Sequence, residues 1–178
     1  MDFHIAQLNI AKMLYPLDAP EMEDFRNSLD AINALADSSD GFIWRLQDAS
    51  GDSTGFRIFD DEYLLVNLSL WTDCDHLHRF VYKSAHVSLF KRKKEWFSRM
   101  TDMHMVLWYI PAGTVPTVGE AIERLMHLRE KGESPLAFSF RRIFRPEDLS
   151  ASTDPQIGVS FGMPPELGKH VGADGHNA

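Results

Sequence analysis

The sequence predicts an α+β fold, an antiparallel sheet in the order β-α-β-β-α-β with an added α-β unit. Three observations lead there. Short apolar or alternating runs bounded by turn residues recur at 3–10, 41–47, 63–71, 103–110 and 137–144. Segments with helical spacing and recognisable start signals follow the first, third and fourth of these runs. With 178 residues, 44% of them hydrophobic, the chain can bury one core and has little room for two.

The first strand has Phe3, Ile5, Gln7 and Asn9 on one face and His4, Ala6, Leu8 and Ile10 on the other. Asp18, Pro20 and Glu21 then open a helix, in which Met22, Phe25, Leu29, Ile32 and Ala36 form one stripe before Gly41. In the second strand Phe42, Trp44 and Leu46 alternate with Ile43, Arg45 and Gln47, and a Gly/Asp/Ser-rich connection with a candidate strand at 56–59 follows. The third strand carries Asn67 and Ser69 on one face. Thr72 and Asp75 have the spacing of a capping box for a second helix, which buries Leu77, Phe80 and Val81 and restarts near Ala85 to reach Phe97. The near-continuous apolar run 103–110 predicts an interior strand, Thr117 and Glu120 a second capping box, and Val118, Ala121, Ile122, Leu125 and Leu128 the stripe of a third helix ending at Gly132. Residues 1–144 are thus expected to form one domain, and the Pro- and Gly-rich stretch 145–178 to be disordered or an extended arm.

A net charge of -8 argues against nucleic acid as a partner, because polyanion binding draws on basic surface. The run Lys91-Arg92-Lys93-Lys94 is accordingly read as a solvated helix face. The single cysteine, Cys74, suits a reducing compartment, and no secretory signal or membrane span is evident, so a cytoplasmic protein is expected. His76 and His78 point in different directions on a helix, and His170 and His176 are loosely placed, so no metal site is expected.

The run LSLW, the helix containing HRFVYKSAH, then RKKEWF, VLWYIPAGTVPTVGEAIERLMHL and AFSFRRIF together resemble an uncharacterised domain family of the dimeric α/β-barrel superfamily. That superfamily also holds antibiotic-biosynthesis monooxygenases, haem-degrading enzymes and chlorite dismutases. The likeness spans about His4 to Phe144 and implies a ferredoxin-like subunit whose helix-free sheet face meets a second copy in a homodimeric barrel. Assigning Gln7, Asn9, Arg45, Asn67, Ser69 and Trp71 to that face predicts an amphipathic cavity for a hydrophobic or aromatic small molecule. The alternative is that Asn67 and Ser69 only hydrogen-bond across the dimer core.

The resemblance also places a histidine near the barrel mouth, where His86 falls, as a general base or as a metal or haem ligand; a helix-capping or core histidine is the plainer alternative. Asn9 can match the first-strand asparagine of the haem-degrading branch, but Phe80 stands where that branch has tryptophan and His86 comes earlier than its ligand. The expected chemistry is therefore independent of an organic cofactor: monooxygenase-like oxidation, or a proton-transfer, cyclisation or decarboxylation step. His86 would act as base, Asn9 and Asn67 as donors to an anion, Arg45 as anchor for an acidic group, and Trp71 with Trp108 as aromatic walls. Haem binding through His86 and a non-catalytic ligand-binding or stress-response module are the rival readings.

Overall fold

The computed structural model describes residues 2–48, 51–56, 58–83 and 92–151. Its elements are β1 (Phe3–Lys12), α1 (Glu23–Asp37) entered through a 3-10 turn (Pro20–Met22), β2 (Phe42–Arg45), β3 (Leu64–Trp71), α2 (Cys74–Lys83), β4 (Met105–Pro111) and α3 (Val118–Lys131). The strands form one antiparallel sheet in the order β2-β3-β1-β4, which is the ferredoxin-like arrangement.

Because cross-strand partners share a face, the register sorts the side chains into two sets. His4, Ala6, Leu8 and Ile10 pair through β3 and β4 with Val66, Leu68, Leu70, Val106, Trp108 and Ile110 on a largely apolar face. Ala121, Leu125 and Leu128 of α3 pack there, and Trp44, Leu46 and Ile58 extend the same cluster. The other face carries Ile5, Gln7 and Asn9 beside Trp71, Ser69 and Asn67. One end of it is closed by α2, whose Cys74, Leu77 and Val81 pack with Ile5, Trp71, Leu107 and Phe138. The opposite end is closed by Met22, Phe25, Trp96 and Phe97 over Met13, Tyr63 and Leu65.

This arrangement corrects the expectation that the face bearing Gln7, Asn9, Asn67, Ser69 and Trp71 is free of helices. Its polar residues lie only in its middle, and the apolar residues at its two ends need cover as much as the largely apolar face does. Other local departures have equally local causes. A bulge between Phe42 and Trp44 breaks the alternation of β2, so that Phe42 faces Trp71 while Arg45 faces Ser69. The helix-capping group at α2 is Asp73 rather than Thr72, its Oδ1 accepting from the His76 amide at 2.9 Å. β4 is an outer strand of the sheet, apolar throughout because α3 covers one of its faces and Phe138 and α2 the other.

The expected strand at 137–144 is reduced to isolated bridges, chiefly Leu107 with Phe138. Glu133 explains why: its carboxylate accepts from both the amide and the hydroxyl of Ser139, and that hydroxyl in turn accepts from the Arg141 amide, which folds the segment into turns. The candidate strand near 56–59 likewise amounts to one bridge, Ile58 with Asp61. The start of the capping box at Thr117 is as expected, its hydroxyl accepting from Glu120 at 3.1 Å. The expected helix restart after Ala85 lies partly outside the described residues, with 92–96 helical. After a 3-10 turn at Pro146–Ala151, the remainder of the expected arm also lies outside them.

Candidate functional site

The middle of the helix-flanked face holds the only ladder rungs on that side that are polar on both β1 and β3. Gln7 opposes Ser69, and Asn9 opposes Asn67. The first rung is closed upon itself: the Trp71 indole Nε1 donates to Ser69 Oγ at 3.1 Å, Ser69 donates to Gln7 Oε1 at 3.2 Å, and Gln7 Nε2 reaches the Met105 sulfur at 3.5 Å. All three polar residues of this relay are buried. It satisfies an indole N–H that would otherwise be stranded beneath α2, and it holds Gln7 and Ser69 in fixed orientations.

The second rung is different. Neither the Asn9 nor the Asn67 carboxamide has a hydrogen-bond partner among the described residues; Asn9 is half-buried and Asn67 exposed. Two amides side by side on a rigid sheet offer two N–H2 donors and two carbonyl acceptors to anything that docks there. The fixed Gln7–Ser69 relay beside them is a floor of neutral polar groups.

The remaining sequence-nominated residues fall elsewhere or serve other purposes. Trp71 is not an open wall, since it is buried between Phe42 and Phe80, with ring centroids at 5.2 and 5.0 Å. Trp108 is on the opposite face of the sheet, where its Nε1 donates to Glu120 at 3.0 Å, so it and Trp71 do not flank one cavity. Two consecutive strand residues on neighbouring strands can both be buried and yet face apart, and only the register reveals which. Arg45 is engaged by Asp37 at the end of α1, through Nε at 2.9 Å and Nη2 at 3.2 Å, and by the Gly51 carbonyl through Nη1 at 2.7 Å. It ties α1 to β2 and is not a spare anchor for a substrate acid. His86 lies outside the described residues.

Among the described residues, two surface depressions, of about 500 and about 380 Å³, are lined by residues other than Asn9 and Asn67. The carboxamides lie on a strip of sheet between α2 and the Met22–Trp96 cluster, and no described helix packs over them.

Sequence reasoning missed Tyr109, which the alternation from Leu107 would have placed on this same face. Its hydroxyl donates to the Phe144 carbonyl at 3.0 Å and lies 3.7 Å from Cys74 Sγ. Burial, the Cys74 thiol and the carboxylates of Glu147 and Asp148 all push the phenol up, and burial pushes the thiol up despite its contact with Tyr109. Both groups stay protonated at neutral pH, which makes them a hydrogen-bonded strut between α2, β4 and the C-terminal segment rather than a nucleophile and its base. His104, expected in a buried strand, is exposed just before β4, its ring within 3.1 Å of the Asp102 carbonyl.

Comparison with known families finds a match over residues 4–154 to DUF3291, a domain of unknown function. The chain belongs to the DUF3291 family. Its strand order, β2-β3-β1-β4, is ferredoxin-like. Among solved structures it is similar to SnoaB of Streptomyces nogalater, a cofactor-independent oxygenase, at 15% identity and a TM-score of 0.44, over 64% of this chain and 98% of that one. It is also similar to a conserved protein of Methanosarcina mazei Go1 at 14% identity and a TM-score of 0.45, over 60% and 91% of the two chains. A third is PA3566 of Pseudomonas aeruginosa, at 16% identity and a TM-score of 0.41, over 64% and 98%. No curated protein matches the DUF3291 chain. None of its described helices is long and apolar enough to cross a membrane.

Proposed function

We propose that this protein binds a small hydrophobic molecule bearing an enol or phenol oxygen on the Asn9–Asn67 strip, and acts on it without a bound organic cofactor. The observation that carries the reading is the pair of unpartnered carboxamides beside a polar rung that is satisfied within itself. A buried relay one rung away leaves no polar group to spare, whereas these two amides have their donors free. Aimed at an oxygen that gains negative charge as its proton leaves, they stabilise the anion more than the neutral substrate. An electron-rich carbanion or phenolate then reduces dioxygen directly: an anthrone and O2 give the anthraquinone and water, with carbon oxidised and oxygen reduced. His86 is the proposed base. Asn9 and Asn67 are the proposed donors, with Gln7 and Ser69 as the polar floor.

The test is oxygen uptake with an anthrone in air, following quinone by absorbance. Wild-type protein should raise the rate above the buffer reaction, Asn67→Ala should reduce kcat by roughly 10²-fold as loss of an anion donor does elsewhere, and His86→Ala should lower kcat as loss of a general base does. Wild-type rates no greater than buffer, or full activity in Asn67→Ala, would refute the reading. The proposed assembly is a homodimer, measured by light scattering of the full chain.

A further inference from the structure

On the opposite side of the sheet, where β1 ends and β3 begins, lies a second groove. Ile58 and Asp61 bridge across a two-residue turn whose central residues, Phe59 and Asp60, both have left-handed backbones, at φ 55° and 49°. Such turns favour asparagine and glycine, because a Cβ in this region is strained, most of all for a bulky side chain. Phe59 therefore pays a conformational penalty, and it gains little burial in return, since it is 43% exposed. Neither the turn nor the core selects phenylalanine there. Strain retained at an exposed aromatic is a reason to ask what the ring does.

The ring stands at the rim of the depression of about 380 Å³, together with Lys12, Asp61, Arg99, Thr101 and Arg129. Lys12 is paired with Asp61 and contributes no free charge. Arg129, from the last turn of α3, holds the Met103 carbonyl with Nε at 2.8 Å, while its guanidinium carbon lies 6.0 Å from the Phe59 ring centroid. Arg99 is exposed and has no partner among the described residues. Two guanidinium groups thus face the groove against the single unpaired carboxylate of Asp102, leaving a net positive charge beside an exposed aromatic ring.

We propose that this groove binds a small aromatic carboxylate, its ring against Phe59 and its carboxylate on Arg99 and Arg129. A planar anion uses both features at once, which neither an aliphatic acid nor a neutral arene does. The groove and the Asn9–Asn67 strip lie on opposite faces of the sheet, so this site stands or falls independently of the proposed activity.

The experiment titrates 2-naphthoate into the full chain and follows amide shifts in ¹H–¹⁵N spectra. Phe59→Gly removes the ring while suiting the left-handed backbone, so the variant keeps the turn; Arg99→Ala alters only an exposed side chain. Shifts should concentrate at Phe59, Arg99 and Thr101, and affinity should fall at least about tenfold in each variant and for neutral 2-naphthamide. Asn67→Ala should bind as wild type. Absence of shifts around Phe59 at millimolar naphthoate, wild-type affinity in either groove variant, or a loss confined to Asn67→Ala would overturn the proposal.

Discussion

Removing one hydroxyl, in Ser69→Ala, tests whether the Trp71–Ser69–Gln7 relay governs the polar face. Trp71 is 1% exposed and Ser69 6%, so water does not replace the lost oxygen. The Trp71 N–H, now 3.1 Å from nothing that accepts, should cost about 2 kcal/mol, within the roughly 1–3 kcal/mol of a stranded buried donor. For a chain of this size that lowers Tm by about 4–8 °C. The decisive comparison is a double-mutant cycle with Trp71→Phe, which removes the donor itself. Phenylalanine leaves a cavity and costs stability alone, but in its background Ser69→Ala should cost at least about 1 kcal/mol less, since no N–H is orphaned. The assay is urea unfolding read by far-ultraviolet circular dichroism, which does not depend on the tryptophan being replaced. Costs that add to within about 0.5 kcal/mol would refute the relay.

Other substitutions probe the frame around it. Gly41→Ala should destabilise by more than about 1 kcal/mol, because Gly41 has φ 76° and a Cβ there would come 2.3 Å from His76 Cγ; thermal unfolding measures it. Burial raises the Asp73 carboxyl, but hydrogen bonds from the His76 amide and imidazole and from the Asp75 amide outweigh it and hold the group below its usual 3.8. Its ionised form thus favours the folded state above that value, and the contribution is lost as pH falls through the lower folded value. Urea midpoints measured from about pH 5 to about pH 2 should accordingly fall less steeply in Asp73→Asn than in wild type. Cys74 is buried with its thiol pushed up by burial, so iodoacetamide at mildly alkaline pH should label it only on unfolding, as mass spectrometry will show.

The alternation of β1 and β3 was legible because it is a local property of extended backbone. Asn9, Asn67, Gln7 and Ser69 share a face, as their spacing required. The stripes of α2 and α3 were legible for the same reason, Leu77 and Val81 and then Ala121, Leu125 and Leu128 being buried. What alternation does not carry is an absolute label, namely which of two faces a helix will cover. Trp108 shows the consequence. Its apolar run gave no distinction between faces, and only pairing with Ala6 rather than with Ile5 puts it beneath α3, bonded to Glu120, on the far side from Trp71.

Arg45 shows a second limit, set by competition rather than geometry. A lone cation on a polar face attracts a ligand only while no carboxylate of the protein reaches it first. The bulge at Ile43 and the length of α1 bring Asp37 within 2.9 Å, a relation between residues on separate elements that no spacing along one strand reveals. The same reasoning strengthens the case for Asn9 and Asn67. A neutral amide attracts no ion pair to neutralise it, and the neighbouring rung has consumed the Gln7 carbonyl and the Ser69 hydroxyl. The described helices flank the polar strip without bonding to its two amides. An Asn67→Leu variant that gains stability while losing ligand binding would be the signature of polar groups retained for recognition, since a surface apolar residue on that strand costs the sheet nothing. A loss of stability on that substitution, with binding intact, would place the amides in the structural frame instead.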